Sequence, residues 1–494
     1  NQSINDEGDG GGIAVITSSP LIAWNSIARN TANRNGGGIA CWRHSFPIIA
    51  NNFIVANSAS YDELTVTEGG GGIFASATDL DGRPIGGAIS APVIINNLIA
   101  ANGGYYGGGI TVIDSTLGAA TIANNTIVAN NGAGVFWSNT WPTNDNNIVA
   151  FNAGGFERGI AGTSDAVIRF NDVYGNAALG VLANYRATAD RTGIAGNFSS
   201  DPRFANFAIG EFHLQPDSPC VDAGATALSS SNWVDLDRQA RVQGGSVDLG
   251  ADESAGMTWE VPPPIIRVSA AGDDTDGSTW ARAKRSVTNG LALVAQTGGE
   301  LWVAQGTYVE HIRPPAFVCL YGGFAGNETN RSQRNPSGHA TILDGGGVAP
   351  VVYYRNAGYR VSALDGFTVQ GGGIHTGGNP FHPDLTNRCG GRGGGIYCRV
   401  SGPVIAHNLI RSNSLGSPFN SFESFGGGLY SYLGHAEITG NTFTENEILK
   451  QMTGNGGGIY CLKSMVNIEE NVFRYNHALD GAAIYGNYSS LRVA

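Results

Sequence analysis

The sequence predicts an all-β chain wound as a parallel β-helix, a solenoid of short strands stacked along one axis. Three observations carry this. A glycine block ending in an apolar run recurs in both halves of the chain. A second block, apolar-x-Ile-x-x-Asn-x-apolar-x-x-Asn, follows it at a steady offset. Gly makes up 74 of 494 residues, yet 41% of the chain is hydrophobic, which favours a turn-rich repeat over disorder.

The glycine block reads GGGIAV ending at Val15, GGGIAC at Cys41, GGGIFA at Ala75 and GGGITV at Val112. It returns as GGGIYC at Cys398, GGGLYS at Ser431, GGGIYC at Cys461 and GAAIYG at Gly486. Its third position falls at 12, 38 and 72, then at 395, 428, 458 and 483. The first Asn of the second block falls at 25, 52 and 97, then at 408, 441 and 471, and so keeps step with it. The long step from 52 to 97 calls for an insertion, and ATDLDGRPIGG supplies one. Periods of this length with two or three strands each are the mark of a solenoid. Ile and Val alternate, so one set of side chains fills the core. The Asn residues are expected at corners, in left-handed conformation, hydrogen-bonding along the stack.

Cys41, Cys398 and Cys461 each follow the block's Ile by two and are expected to point inward as small apolar groups. The six cysteines, at 41, 220, 319, 389, 398 and 461, match no zinc spacing and are too sparse for a disulfide framework. Cys389 and Cys398 are the one pair placed to close a small loop. The net charge is −12 with 28 Lys and Arg, which argues against nucleic acid and anionic membranes as partners. No apolar run reaches the length of a membrane span.

The paired GG[AG]I and FxxN signatures, the latter as FTEN at Asn446 and FRYN at Asn476, resemble the repeats of polymorphic outer-membrane proteins. That family implies a right-handed parallel β-helix at a cell surface. The stretch 201–253, DPRFANFAIGEFHLQPDSPCVDAG and then VDLDRQARVQGGSVDLGADE, is similar to the closing segment of bacterial β-helix proteins with a choice-of-anchor domain. The stretch 266–310 resembles the segment that opens such solenoids. Within it, TWARAKRSVTNGLALVAQ predicts a short capping helix near 280–296, with Ser278 or Thr279 as N-cap and Gly298 near the C-cap.

The order of these segments is inverted. Residues 1–254 read as the end of one β-helix and 266–494 as the start of another, with a Pro-rich linker at 255–265. Placing SSLRVA before NQSINDEGDGGGIAV restores the repeat. Leu491 then falls on Val466, Val493 on Ile468, Gln2 on Asn471, Ile4 on Phe473 and Glu7 on Asn476. A seam formed by Leu491, Arg492, Val493, Ala494, Asn1, Gln2, Ser3 and Ile4 is therefore expected to join one copy, or one tandem repeat, to the next in register, the remaining account being a circular permutation or excised fragment with no assembly meaning.

The expected function is that of a structural extracellular or cell-surface protein that stacks head to tail, or is tandemly repeated, into a fibre or rod. One alternative is an adhesin or glycan-binding module, with Trp42, Tyr105, Tyr106, Arg388, Arg392 and Arg399 as contacts for an acidic polysaccharide. A second is a polysaccharide lyase. Against it, the chain has only Lys284, Lys450 and Lys463 as lysine bases, and His407, His435 and His477 are isolated. No catalytic residue is assigned. Asp273-Asp274 reads as a turn. Asp235, Asp237, Asp248 and Asp252 crowd the closing segment and are weak candidate ligands for Ca²⁺, the one cofactor considered, although capping turns use Asp for the same hydrogen bonds.

Overall fold

The computed structural model describes residues 2–3, 9–59, 69–78, 89–115, 119–153, 159–178, 181–182, 184–229, 233–348, 350–373, 391–416, 424–449 and 454–494. The chain is nearly all β, and its large sheets are stacked parallel strands in register, consistent with a β-helix solenoid, while Phe204–Asn206 and Glu211–Leu214 pair antiparallel. It divides into two compact units. One comprises residues 1–207 and 211–261, and the other 208–210 and 262–494.

In the first unit, each turn of the solenoid, or rung, places three strands in three sheets. One rung runs Ile39–Trp42, Ile48–Ala50 and Phe53–Val55, and it stacks on Ile13–Ile16, Leu21–Ala23 and Ser26–Ala28. The glycine-block isoleucines Ile13, Ile39, Ile73 and Ile110 are direct partners. Ile22, Ile49, Ile94 and Ile122 pair in the second sheet, and Ile27, Ile54, Ile99 and Ile127 in the third. These residues form one column together with Cys41, buried throughout except at its partly buried end residue Ile13. The second unit repeats the plan, with Ile396, Leu429 and Ile459 stacked on one another, and with Cys398 and Cys461 in its core. Burial pushes the Cys41 and Cys461 thiols up to about 12, so all three cysteines serve as apolar filler. Cys389 lies outside the described residues.

The corners divide the labour differently from the expectation. The left-handed residue is the one before each repeat Asn: Trp24, Asn51, Asn96, Asn124 and Asn146 have φ between 53° and 62°. The next residue, the repeat Asn itself, turns its amide along the stack. Asn52 donates Nδ2 to Ile22 O of the preceding rung and to Asn97 Oδ1 of the following one. The ladder runs 25, 52, 97, 125, 147, 171 and 197, and a second runs 30, 57, 102, 130, 152 and 176. A left-handed residue other than Gly costs ~1–2 kcal/mol. The buried amides beside it, each satisfied on both sides, hold that conformation in place.

The third Gly of each block has a steric reason. A Cβ on Gly38 would lie 2.6 Å from the carbonyl oxygen of Gly72 in the next rung, and a Cβ on Gly428 would lie 2.6 Å from that of Gly458.

The capping helix is shorter than expected and spans Val287–Val294. Its N-cap is Ser286, whose side chain accepts from Asn289 N. The Glu310 carboxylate takes the Val287 and Thr288 amides at 2.9 Å. Residues 276–282 cannot join the helix, because Asp276 holds Ser278 and Arg282 in a turn. The helix buries Val287, Leu291 and Val294 in the core of the second unit.

Candidate functional site

Three places bear on function: the outermost rungs, the arginine-bearing sheet of the second unit, and the segment 201–253.

The last rung of the second unit ends on the strands Ile484–Asn487 and Ser490–Val493. Leu491 pairs with Val466 and Val493 with Ile468. Ile468 is 1% exposed, whereas Val493, at the same core position one rung on, is 60% exposed. Tyr475 and Tyr488 are more than four-fifths exposed. In the first unit, Leu21–Ala23 and Ser26–Ala28 are edge strands. There the inward residues Ile22 and Ile27 stay buried, while Leu21 is 69% exposed.

Gln2 and Ser3 depart from the expected register. They pair with Thr31 and Ala32, which follow the second ladder Asn, Asn30. The corresponding place in the second unit is His477, not Asn471, so Gln2 stands six positions further along the rung than the alignment put it. The physical reason is that Gln2–Ser3 finds its hydrogen-bonding edge on Thr31–Ala32, after the corner, where no amide ladder is needed. Asn1 and Ile4 lie outside the described residues.

Of the expected glycan contacts, Trp42 is not available. It is 1% exposed, its ring lies 4.8 Å from Phe74, and it belongs to an apolar layer outside the first sheet on which Tyr106 also packs. Arg388 lies outside the described residues. Arg399 is half-buried and sits over the Tyr432 ring, and Arg392 sits over Tyr430. The structure adds Arg355, the direct cross-strand partner of Arg399, which places two guanidinium-bearing side chains side by side. The outward tyrosines of the same sheet, Tyr353, Tyr397, Tyr430 and Tyr460, are buried against one another and present no open ring face.

The segment 201–253 does more than end a stack. Residues 225–229 and 233–238 lie along the side of the first unit as a strap, over the left-handed corners of successive rungs. Ala225 N donates to Asn146 Oδ1, Ser229 Oγ to Asn124 Oδ1, Asn96 Nδ2 to Val234 O, and Asn51 Nδ2 to the Val234 and Asp235 carbonyls. Arg238 lies 4.8 Å over the Trp24 ring. Sequence reasoning missed the strap. Its signal was present in the Asn-Asn doublets at 51–52, 96–97, 124–125 and 146–147, whose first member is free to face outward. The second unit has His407, Gly440 and Glu470 at those places.

The four acidic candidates separate into two kinds. Asp235 Oδ1 accepts from the Asp237 and Gln239 amides, and its Oδ2 from Glu253 N. Asp248 accepts from the Asp222 and Ser254 amides at 2.7 Å each. These two brace turns, and burial raises both carboxyls above the usual range. Asp237 and Asp252 instead converge on His213, a residue sequence reasoning did not single out, with donor atoms within 4.8 Å of one another. His213 Nδ1 contacts the Glu211 carboxylate and Nε2 lies 2.9 Å from Asp237. Burial pulls the imidazole down, but Glu211, Asp252 and Asp237 outweigh it and hold it at about 9. Nearby, Arg241 and Glu253 form a buried ion pair at 3.3 Å.

Asp273 and Asp274 stand in an exposed turn, where Asp273 accepts from Thr275 N. No helix among the described residues is long and apolar enough to cross a membrane. No protein-family model and no curated protein matches the chain.

Proposed function

We propose that the chain is a structural β-helix protein of a cell surface or the extracellular space, whose rungs continue head to tail into a fibre or rod. The single observation that supports this is the last rung of the second unit. Val493 repeats the core position of Ile468 and is left 60% exposed, so a further rung would bury it as Val493 buries Ile468. Open parallel edges favour addition of another strand. The added rung belongs either to a second copy or to a tandem continuation of the same polypeptide.

The test is the mass of native material after full denaturation, together with the assembly state before it. Subunits of 51.3 kDa that sediment as long polymers indicate stacking between copies, and denatured species in larger multiples of that mass indicate a tandem chain. Val493→Asp should abolish polymers of separate subunits. A 51.3 kDa chain that stays monomeric at high concentration sinks the reading.

A further inference from the structure

The donor atoms around His213 have an arrangement that the stacking function does not use. We propose that His213, Asp237 and Asp252 form a binding site for a first-row divalent cation of the zinc class. The three side chains come from separate segments: the strand Glu211–Leu214, the 235–239 turn and the loop before Glu253.

Three features of the site point to a cation. The Glu211 carboxylate engages His213 Nδ1, which leaves Nε2 as the donor facing Asp237. That carboxylate–imidazole pairing is the arrangement that orients metal-bound histidines. The Trp259 ring stacks on the imidazole with centroids 4.1 Å apart and fixes its plane. Asp252 is only 8% exposed and makes no ion pair among the described residues. The one hydrogen bond it takes there is from Leu214 N, at 3.0 Å. A buried carboxylate needs a counter-charge, which the His213 imidazolium supplies in the metal-free chain and a metal ion on the same groups would supply in its place.

One imidazole nitrogen with two carboxylates suits Zn²⁺ or Co²⁺, whereas Ca²⁺ takes six to eight oxygens. The partly exposed Asp237 leaves the site open to solvent. Metal bound here would tie the strand Glu211–Leu214 to the 235–239 turn, so its effect would be to lock the closing segment.

The experiment uses the full chain without an affinity tag, stripped with a chelator and titrated calorimetrically with ZnCl₂ and, separately, CaCl₂. One Zn²⁺ per chain should bind, with a rise in the thermal midpoint of unfolding. His213→Gln should weaken binding by about tenfold or more. Asp237→Asn, on an exposed turn and so safe for folding, should do the same. His44→Gln, at an exposed histidine elsewhere, should leave binding unchanged. Absence of saturable Zn²⁺ binding, or its retention in both site variants, overturns the proposal. Preference for Ca²⁺ over Zn²⁺ overturns it as well.

Discussion

The side-chain oxygen of Asn97 accepts two hydrogen bonds from Asn52, one from its backbone N–H at 2.9 Å and one from its Nδ2 at 3.0 Å. In the other direction, Asn97 Nδ2 donates to Ile49 O of the preceding rung and to Asn125 Oδ1 of the next. One amide thus serves three rungs, and it is fully buried.

Asn97→Ala should therefore cost more than an ordinary polar deletion. It strands the Asn52 amide groups and the Ile49 carbonyl in a dry interior, at ~1–3 kcal/mol for each group left unsatisfied. A loss of about 3–5 kcal/mol in urea unfolding is expected. In the unstacked chain, Asn471→Ala, on the outermost ladder position of the second unit, should cost clearly less, because among the described residues its amide donates to no ladder Asn of a following rung. Equal losses at the two positions would contradict the ladder account.

Gly428→Ala should destabilise the second unit by ~1–3 kcal/mol through overpacking. The new Cβ would meet the Gly458 carbonyl oxygen at 2.6 Å and the Phe443 ring at 3.0 Å. The last block already carries Ala483 at this position, where the residue is exposed. Ala483→Gly should change stability by no more than about 1 kcal/mol. Thermal midpoints of the two variants decide the matter, and a tolerated Gly428→Ala would remove steric stacking as the reason for the repeat glycine.

Asp172 gives the fold a pH dependence. It is buried against Cys220, and burial raises its carboxyl to about 7, opposed by the Ser200 amide and the Cys220 thiol. An unfolded Asp titrates near pH ~3.9. Between these values the folded state keeps a proton that the unfolded state has lost, so stability falls as pH rises, by up to ~1.4 kcal/mol per pH unit, and levels off above about 7. Asp172→Asn should flatten this slope. Urea midpoints at mildly acidic and mildly basic pH, compared between the parent chain and the variant, provide the check. An unchanged slope would mean that Asp172 is ionised in the fold.

The legible part of the fold was its periodic part. The spacing of Gly12, Gly38 and Gly72, and of Asn25, Asn52 and Asn97, became strand register in the structure, because each rung meets only its neighbours. The alternation around Cys41 and Cys461 placed both thiols in the core for the same reason. Trp42 was misread because alternation tells only that it points outward. It does not tell that Phe74 and Tyr106 would cover it.

The sequence alone determined the parallel solenoid, the residues that line its core and the Asn positions that stitch its rungs, since these follow from short-range repetition. Tertiary structure decided what has no period. It set the strap contacts of Ala225 with Asn146 and of Arg238 with Trp24, and the late start of the helix under Glu310. It also set the six-position offset of Gln2 and the meeting of His213 with Asp237 and Asp252. Each of these joins segments that no local rule relates. Such a contact depends on which exposed hydrogen-bonding groups and charges happen to face one another once the coil has formed, and only the folded chain brings them together.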